Sequence, residues 1–600
     1  MIPDSEAAVA RLAGVLSAIL VASGAFAATP ATPAAPAPPA PPATLIVLAA
    51  GGWTGDPARP RAAGVAVRGE EILAVGTREE VMAHRGTQTR LLELDGFLLP
   101  GFIDNHTHFD RAGALLAGVN LLDVADAEGL RRRVAEARER LPRGAWLLGG
   151  DWGAYEAWGR GSTGAAPTAE PKPAEQAERP EPGDPAQPFT PHRDLIDPLT
   201  RDTPALLSRW DGSLWLANAA ALEAAGVTCA WEGAECDADG RLTGRLSPAA
   251  ARRVREVVPD KTLEQRLVEA RAALADLRRH GVTGIHDITP AAQLRVFQEL
   301  ERRGELTVRV DARPTLDRWQ QLAALGIGHG FGSERLRIGG LKGFVDGIMG
   351  NSSARFYEPY RTTGERGQWR DMMRPEGNLL RLLRGADAAG HWPHVHAIGD
   401  EAIDTLLDLY EQAMADAPPR ERRWRLIHAQ VLRGPEVAAR MARLGVVAEV
   451  QPYHAIDDMR WMEERIGERS RWAYAFRTLH QAGVRLSFGS DWPGTNASWY
   501  PSDPLLGIYA AVTRQTLEGA PAGGWFPQER VDLETALFAY TVNNAWAAGE
   551  EGRKGSLTPG KLADLVVLDR DPFAVAPEKL KDLRVRLTVL GGEVVWEAPL

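Results

Sequence analysis

Between Gly101 and Asp491 the chain alternates short apolar, β-branched runs with stretches of helical periodicity. The runs are Gly101–His108, Val282–Asp287, Thr307–Ala312, Ile338–Phe344, Val395–Ile398, Leu426–Ala429, Val446–Val450 and Arg485–Gly489. Helical stretches such as Thr262–Arg279 and Ala402–Ala415 stand between some of them. Strands separated by helices cannot pair as tight hairpins, so they line up parallel with the helices covering them. Eight such strands predict an α/β fold of the (β/α)8 type, the TIM barrel, over residues 101–551. The gap from about 110 to 260 follows the first run and reads as a large insertion.

The two ends have another texture. Leu45–Leu48, Val65–Val67 and Ile72–Val75 are short β-like runs with turns between them. Leu565–Leu568, Val585–Leu590 and Val594–Trp596 repeat the pattern at the far end. Residues 44–100 and 552–600 are therefore expected to build one small sheet domain from both termini. A chain of 600 residues has room for it, being too long for one ordinary core.

The first residues read as an address. Leu12–Ala22 is apolar but too short to span a bilayer comfortably, and Ala25-Phe26-Ala27 offers a cleavage pattern. Arg11 supplies positive charge, diluted by Asp4 and Glu6. We read 1–27 as a signal peptide, 28–43 as an Ala/Pro-rich disordered linker, and the destination as the periplasm or the exterior. A second biased stretch, 161–188, reads as a surface loop within the insertion. Cys229 and Cys236 are the only cysteines. In an oxidising compartment they could close a small loop; two unrelated thiols is the other reading, and both stand. The net charge of −10 offers no basic surface for nucleic acid, and no later segment reads as a membrane helix.

The strand ends carry the chemistry. The first run closes on D-N-H-T-H, and side chains two apart on a strand share a face, so His106 and His108 point together. Two imidazoles on one face are half a divalent metal site, though one H-x-H is weak evidence. Further metal-competent side chains fall at later strand ends: His396 in H-V-H-A-I-G-D, His428 after W-R-L-I, and Asp491 after L-S-F-G-S. Lys342 lies within the fourth run. Barrel enzymes collect their active sites at one end of the strands, so this convergence is what the geometry requires. His394 shares the parity of His396 and reads as structural or supporting. Trp152, Trp158, Trp210, Trp492 and Trp499 fall in loops near strand ends and could shape an aromatic pocket. Tyr453 and His454, after the seventh run, are stronger pocket candidates.

The motifs L-P-G-F-I-D-N-H-T-H, L-K-G-F-V-D-G, H-V-H-A-I-G-D, L-I-H-A-Q and F-G-S-D-W-P occur in the order used by the amidohydrolase superfamily. The chain, roughly over 44–600, resembles the branch containing N-substituted formamide deformylases and exported hydrolases. The resemblance implies a barrel plus a β-sandwich made from both termini. It implies that His106 and His108 bind the more buried of two metal ions. His396 and His428 would bind the second, a carboxylated Lys342 would bridge them, and Asp491 would touch the first ion and carry protons. A lysine merely paired with Asp346 is the alternative for Lys342. Zinc suits an imidazole-rich site with carboxylates.

The implied reaction is hydrolysis of a C–N bond in a small amide by activated water, with Asp491 as proton shuttle. Cyclic amide hydrolysis, deamination or ester cleavage at the same centre, or a binding protein without catalysis, are the alternatives. The expected partners are a small-molecule amide and a second copy in a homodimer, with no membrane contact beyond export. The chain departs from its relatives at Ser213, where they often carry a histidine, and at Ile348–Ser353 after Asp346-Gly347. These loops, with Asn351, should line the pocket, so specificity transfers least.

Overall fold

Eight parallel strands, buried along almost their whole length, carry the middle of the chain. In chain order they are β1 Phe102–Thr107, β2 Val282–Ile288, β3 Arg309–Arg313, β4 Leu341–Phe344, β5 Pro393–Ala397, β6 Arg425–His428, β7 Val447–Val450 and β8 Leu486–Phe488. The computed structural model describes residues 41–599, apart from 123, 125, 142–143, 154–189, 211, 416 and 496–497. The expected signal peptide, most of the 28–43 linker, the 161–188 loop and Trp158 lie outside the described residues.

The strands pair in two arcs. β1, β2 and β3 form one, and β4 to β8 form the other. Single parallel bridges join the arcs at both seams, Thr315 to Lys342 and Thr107 to Trp492. Strand order thus returns to its start. Helices cover the outer face, so both faces of each strand are buried and its residues read as unbroken apolar runs. The expected helix at Thr262–Arg279 is present as Leu263–Arg279. Thr262 caps it and Gln265 closes a capping box. The largest apolar cluster lies between strands and helices, uniting Val395 and Leu426 with Leu382 and Leu406.

The fourth run differs from expectation. Leu336–Ile338 pairs with β3, and β4 then begins at Leu341 and pairs with β5. The interruption is Gly339-Gly340. A side chain at Gly339 would stand 1.5 Å from Asp311 Oδ1, and one at Gly340 would stand 2.1 Å from the His394 ring. Two polar interior side chains occupy the space that an ordinary strand residue would fill.

Both ends of the chain contribute sheets. Leu45–Leu48, Gly64–Arg68, Glu71–Gly76 and Arg90–Glu93 form one. Gly51–Gly52, Phe97–Pro100, Leu565–Leu568, Val585–Leu590 and Glu593–Glu597 form the other. Alternate residues from the two, among them Leu45, Val47, Val65, Leu565, Val567 and Leu587, share one apolar cluster. The insertion has a five-stranded sheet of its own, with separate cores around Trp152 and around Trp215. Cys229 and Cys236 are disulfide-bonded there, with Cα atoms 5.9 Å apart. Among the described residues no helix is long and apolar enough to cross a membrane.

One buried ion pair ties the strand cycle to the C-terminal sheet. Arg309 on β3 donates from Nε and Nη2 to the Asp564 carboxylate at 2.7 and 2.9 Å. Both residues are buried. Removing one partner leaves the other charge uncompensated, so Arg309→Ala is expected to cost about 3–5 kcal/mol in equilibrium denaturation. A loss under about 1 kcal/mol, the value of a surface pair, would show that the pair does not hold the two parts together.

Candidate metal centre

Three side chains bring ligand atoms within 4.8 Å of one another: His106 from β1, His428 from β6 and Asp491 after β8. All three are buried. His428 and Asp491 have φ of 74° and 58°, a left-handed conformation that costs energy in a non-glycine residue. The turn at each strand end aims its side chain inward. The seam between β8 and β1 fixes the rest. Asp491 N donates to His106 O at 2.9 Å, and His108 N donates to Trp492 O at 2.8 Å. The Asp104 carboxylate, beneath them, accepts from the backbone amides of Ser490 and His106.

Each histidine is held through one nitrogen. His106 Nδ1 lies 2.6 Å from Glu449 Oε1, and His428 Nδ1 lies 2.7 Å from Gln451 Oε1. Nε2 of both rings is thereby left to face the cluster. Burial, reinforced by Lys342, lowers the His106 pKa to about 3, and burial holds His428 well below its usual range. Both rings are neutral and offer lone pairs. Burial would push the Asp491 carboxyl up. The facing His106, and the His108 ring 3.1 Å from Oδ1, instead hold it well below the usual carboxylate range. Two neutral imidazoles and one carboxylate, converging in a buried site, fit a divalent cation.

Other expected site residues surround this cluster. His108, Lys342 and His396 line the same cavity of about 400 Å3, with Trp210, Asn351 and His454. The His428 ring lies 4.6 Å from the His396 ring and 5.1 Å from the His106 ring. His396 Nε2 is 2.9 Å from Gly347 O, which leaves Nδ1 to serve a metal. Lys342 Nζ stands 3.4 Å from His106 Nε2. Asp346 takes three backbone amides instead, from Arg355, Ile398 and Gly399.

Five expected pocket residues do not line the cavity. Trp152 is wholly buried in the insertion's core, and Trp492 packs on Phe109. Ser213 is exposed away from the cavity, and Tyr453 stands behind Tyr500, a lining residue. Trp499 packs in the apolar cluster beside Trp492. His394 is buried with both ring nitrogens unpartnered and does not line the cavity.

The sequence reading missed the support beneath the histidines. Glu449, fully buried on β7, accepts from Arg313 of β3 at 2.8 and 2.9 Å and from Arg425 of β6 at 2.8 Å. Burial would raise its carboxyl, but Arg313, His106 and Arg425 hold it well below the usual range. A lone carboxylate within the apolar run Val446–Val450 was the available signal. The wall residues Phe344, Asp457, Asp458, Trp461 and Tyr500 were also missed.

Parallel α/β architecture, with neutral imidazoles and an ionised carboxylate at the strand ends, defines a metal-dependent hydrolase. The amidohydrolase family model matches residues 95–596, and the chain belongs to that family, whose members are metal-dependent hydrolases of C–N bonds. It is 32% identical to Protein LONG AFTER FAR-RED 3 of Arabidopsis thaliana, over 92% of each chain. It is 27% identical to the N-substituted formamide deformylase of Arthrobacter pascens, over 92% of this chain and 98% of that one. A metal-dependent hydrolase from Pyrococcus horikoshii OT3 superposes with a TM-score of 0.69 at 25% identity, covering 89% of this chain and 99% of that one.

Glu449→Gln keeps the shape but removes the charge that orients His106. Metal affinity is expected to fall about 10- to 100-fold in a chelator competition. An unchanged affinity would separate Glu449 from the metal centre.

Proposed function

We propose that the chain is an exported hydrolase that cleaves the C–N bond of a small amide at a centre of two zinc ions. The observation that carries this reading is the buried convergence of His106, His428 and Asp491. In this reading the eight strands close a (β/α)8 barrel over 101–551, with the insertion at about 110–260. Segments 44–100 and 552–600 form a β-sandwich. The bridged seams and the apolar cluster shared by the terminal sheets support that division. The Ala25-Phe26-Ala27 pattern and the Cys229–Cys236 bond support export to an oxidising compartment.

His106, His108 and Asp491 would hold the more buried ion, and His396 and His428 the second. Lys342 would bridge them as a carbamate. An ammonium cannot ligate a cation, but burial and Arg313 lower the Lys342 pKa to about 7, so much of the amine is free for carboxylation. Ions bound there acidify a water molecule and polarise the substrate carbonyl. Asp491, kept ionised and steered by His108, takes the water's proton and returns it to the leaving nitrogen. Without that proton the nitrogen would have to leave as an anion. The resemblance to an N-substituted formamide deformylase supports formamides as the first substrates to try.

The test is a screen of the zinc-loaded protein against amides, formamides, lactams and esters. Asp491→Asn is expected to keep the metal and to lower kcat about 100- to 10,000-fold. Turnover that survives chelation, or an Asp491→Asn enzyme as fast as the parent, would sink the mechanism. Lys342 gives a separate check. Its amine is neutral above the pKa of about 7, so carboxylation is favoured as pH rises through that value. Zinc reconstitution should depend on bicarbonate and improve from pH 6 to 8, as the neutral fraction climbs from about one tenth to about nine tenths. NMR with labelled bicarbonate would detect the carbamate. No signal, with reconstitution indifferent to bicarbonate, removes the bridging role.

A further inference from the structure

Arg111 joins two parts of the molecule beside the metal centre. It lies in the first turn of the helix Phe109–Ala117, three residues after His108, which stands at that helix's N-terminus. The helix is fastened to the strand cycle: Phe109, Ala112 and Leu115 share an apolar cluster with Leu267, Leu274 and Trp492. From there the Arg111 side chain reaches two ways. Nη1 donates to Gly494 O at 2.6 Å, and Nη2 donates to Asp151 Oδ2 at 3.2 Å. Arg111 lines the metal-centre cavity, and Asp151 does not.

Both ends of this link are held. Gly494 N donates to Asp491 O at 2.7 Å, so Gly494 closes the turn that begins at Asp491. A guanidinium on the Gly494 carbonyl fixes the far side of that turn. At the other end, Asp151 belongs to the insertion's strand Leu147–Trp152. Gly149, Gly150 and Asp151 have φ of 81°, 95° and 55°, and the strand's pairing shifts register between Gly149 and Trp152. Glycine adopts such angles freely and aspartate seldom, so the irregular run is held in place by its contacts. Ser208 Oγ donates to Asp151 Oδ1 at 2.7 Å, which leaves Oδ2 for Arg111. The Asp151 and Arg111 side chains are only 14% and 28% exposed. Holding two acceptors in fixed directions is the work of a planar guanidinium fork, which a lysine lacks.

We propose that Arg111 and Asp151 are positioning residues, through which the insertion holds the turn Asp491–Gly494 and sets the direction of the Asp491 carboxylate. The inference rests on the reading of Asp491 as the proton carrier of amide hydrolysis. A carboxylate that must serve the water and then the leaving nitrogen has little angular latitude, and a displacement of about 1 Å costs about 100-fold in rate. His108 steadies one oxygen of Asp491. The link through Arg111 steadies the backbone from which that carboxylate hangs.

The test uses the zinc-loaded chain and two formamides that differ in leaving group, N-butylformamide and para-nitroformanilide. Butylamine must be protonated to leave, whereas the nitroaniline leaves with far less help. Asp151→Gly removes the carboxylate while accepting the left-handed backbone, and Arg111→Lys keeps the charge without the fork. Both variants should retain zinc, read by metal analysis, and Asp151→Gly should retain the parent's KM. Each should lower kcat about 100-fold on N-butylformamide and less than about 5-fold on para-nitroformanilide. The double variant should be no slower than the slower single one, since both act through one turn. Should the screen above select another acyl group, the same two leaving groups are attached to it. Equal slowing on both substrates, or failure of both variants to fold, marks a structural tie and overturns the inference. So do parent-like turnover of the butylamide, a double variant slowed by the product of the single factors, and loss of zinc, which moves the link's effect to the metal ions. Each of these leaves the amide reading intact. A parent that hydrolyses no amide overturns the amide reading itself, and this inference with it.

Discussion

The Glu449 carboxylate ties together four strands of the cycle: its own β7, β3 through Arg313, β6 through Arg425 and β1 through His106. Withdrawing a carboxylate from water costs several kcal/mol, and a strand of valines and alanine offers nothing in return. Two guanidinium groups and an imidazole supply the return here. Arg313 also donates to the carbonyls of Asn105 and His286, so one guanidinium spans β1, β2 and β7. The interior of the cycle is therefore polar, where buried parallel strands are ordinarily lined by branched apolar side chains. Apolar packing has moved outward, between strands and helices, and the interior is given to charge. Removing Glu449 would strand two buried cations as well as release a metal-centre histidine.

Closure of the cycle and assembly of the centre are the same event. Asp491 reaches His106 and His108 because β8 meets β1, and the hydrogen bonds at that seam run through His106, His108, Asp491 and Trp492 themselves. Asp104 anchors both sides by holding the Ser490 and His106 amides. Backbone strain at Asp491 is sustained by these contacts, which over-determine its turn. A chain with an open seam would lose the approach of Asp491 to the two histidines along with the fold.

The strand positions were legible because parallel strands buried on both faces leave an unbroken apolar signature, and the ligand-type residues because they end those runs. Gly339-Gly340 was legible as two residues but not as a break, since its cause lies in Asp311 and His394, which are distant in sequence. Glu449 broke the pattern of its own run and could have been flagged; its partners Arg313 and Arg425 stood at strand ends, where charge is unremarkable. The tryptophans misled for a related reason. Proximity to a strand end says nothing about direction, and Trp152 turns into the insertion's own core while Trp492 turns toward Phe109.

The walls of the cavity obey a different logic from its floor. The floor is built on strands, whose side-chain direction follows from parity. The walls come largely from loops pinned by polar side chains outside the strands. Arg465 donates to the carbonyls of Met349 and Gly350, and Asp458 is held by Gln430 and Tyr474. Burial and the adjacent Asp457 push the Asp458 carboxyl well above its usual range. None of these pins touches a ligand-type side chain. A change at Met349, Trp461 or Tyr500 can therefore reshape what enters while the histidines stay in place, which is why the chemistry of this chain reads from its strands and its substrate does not.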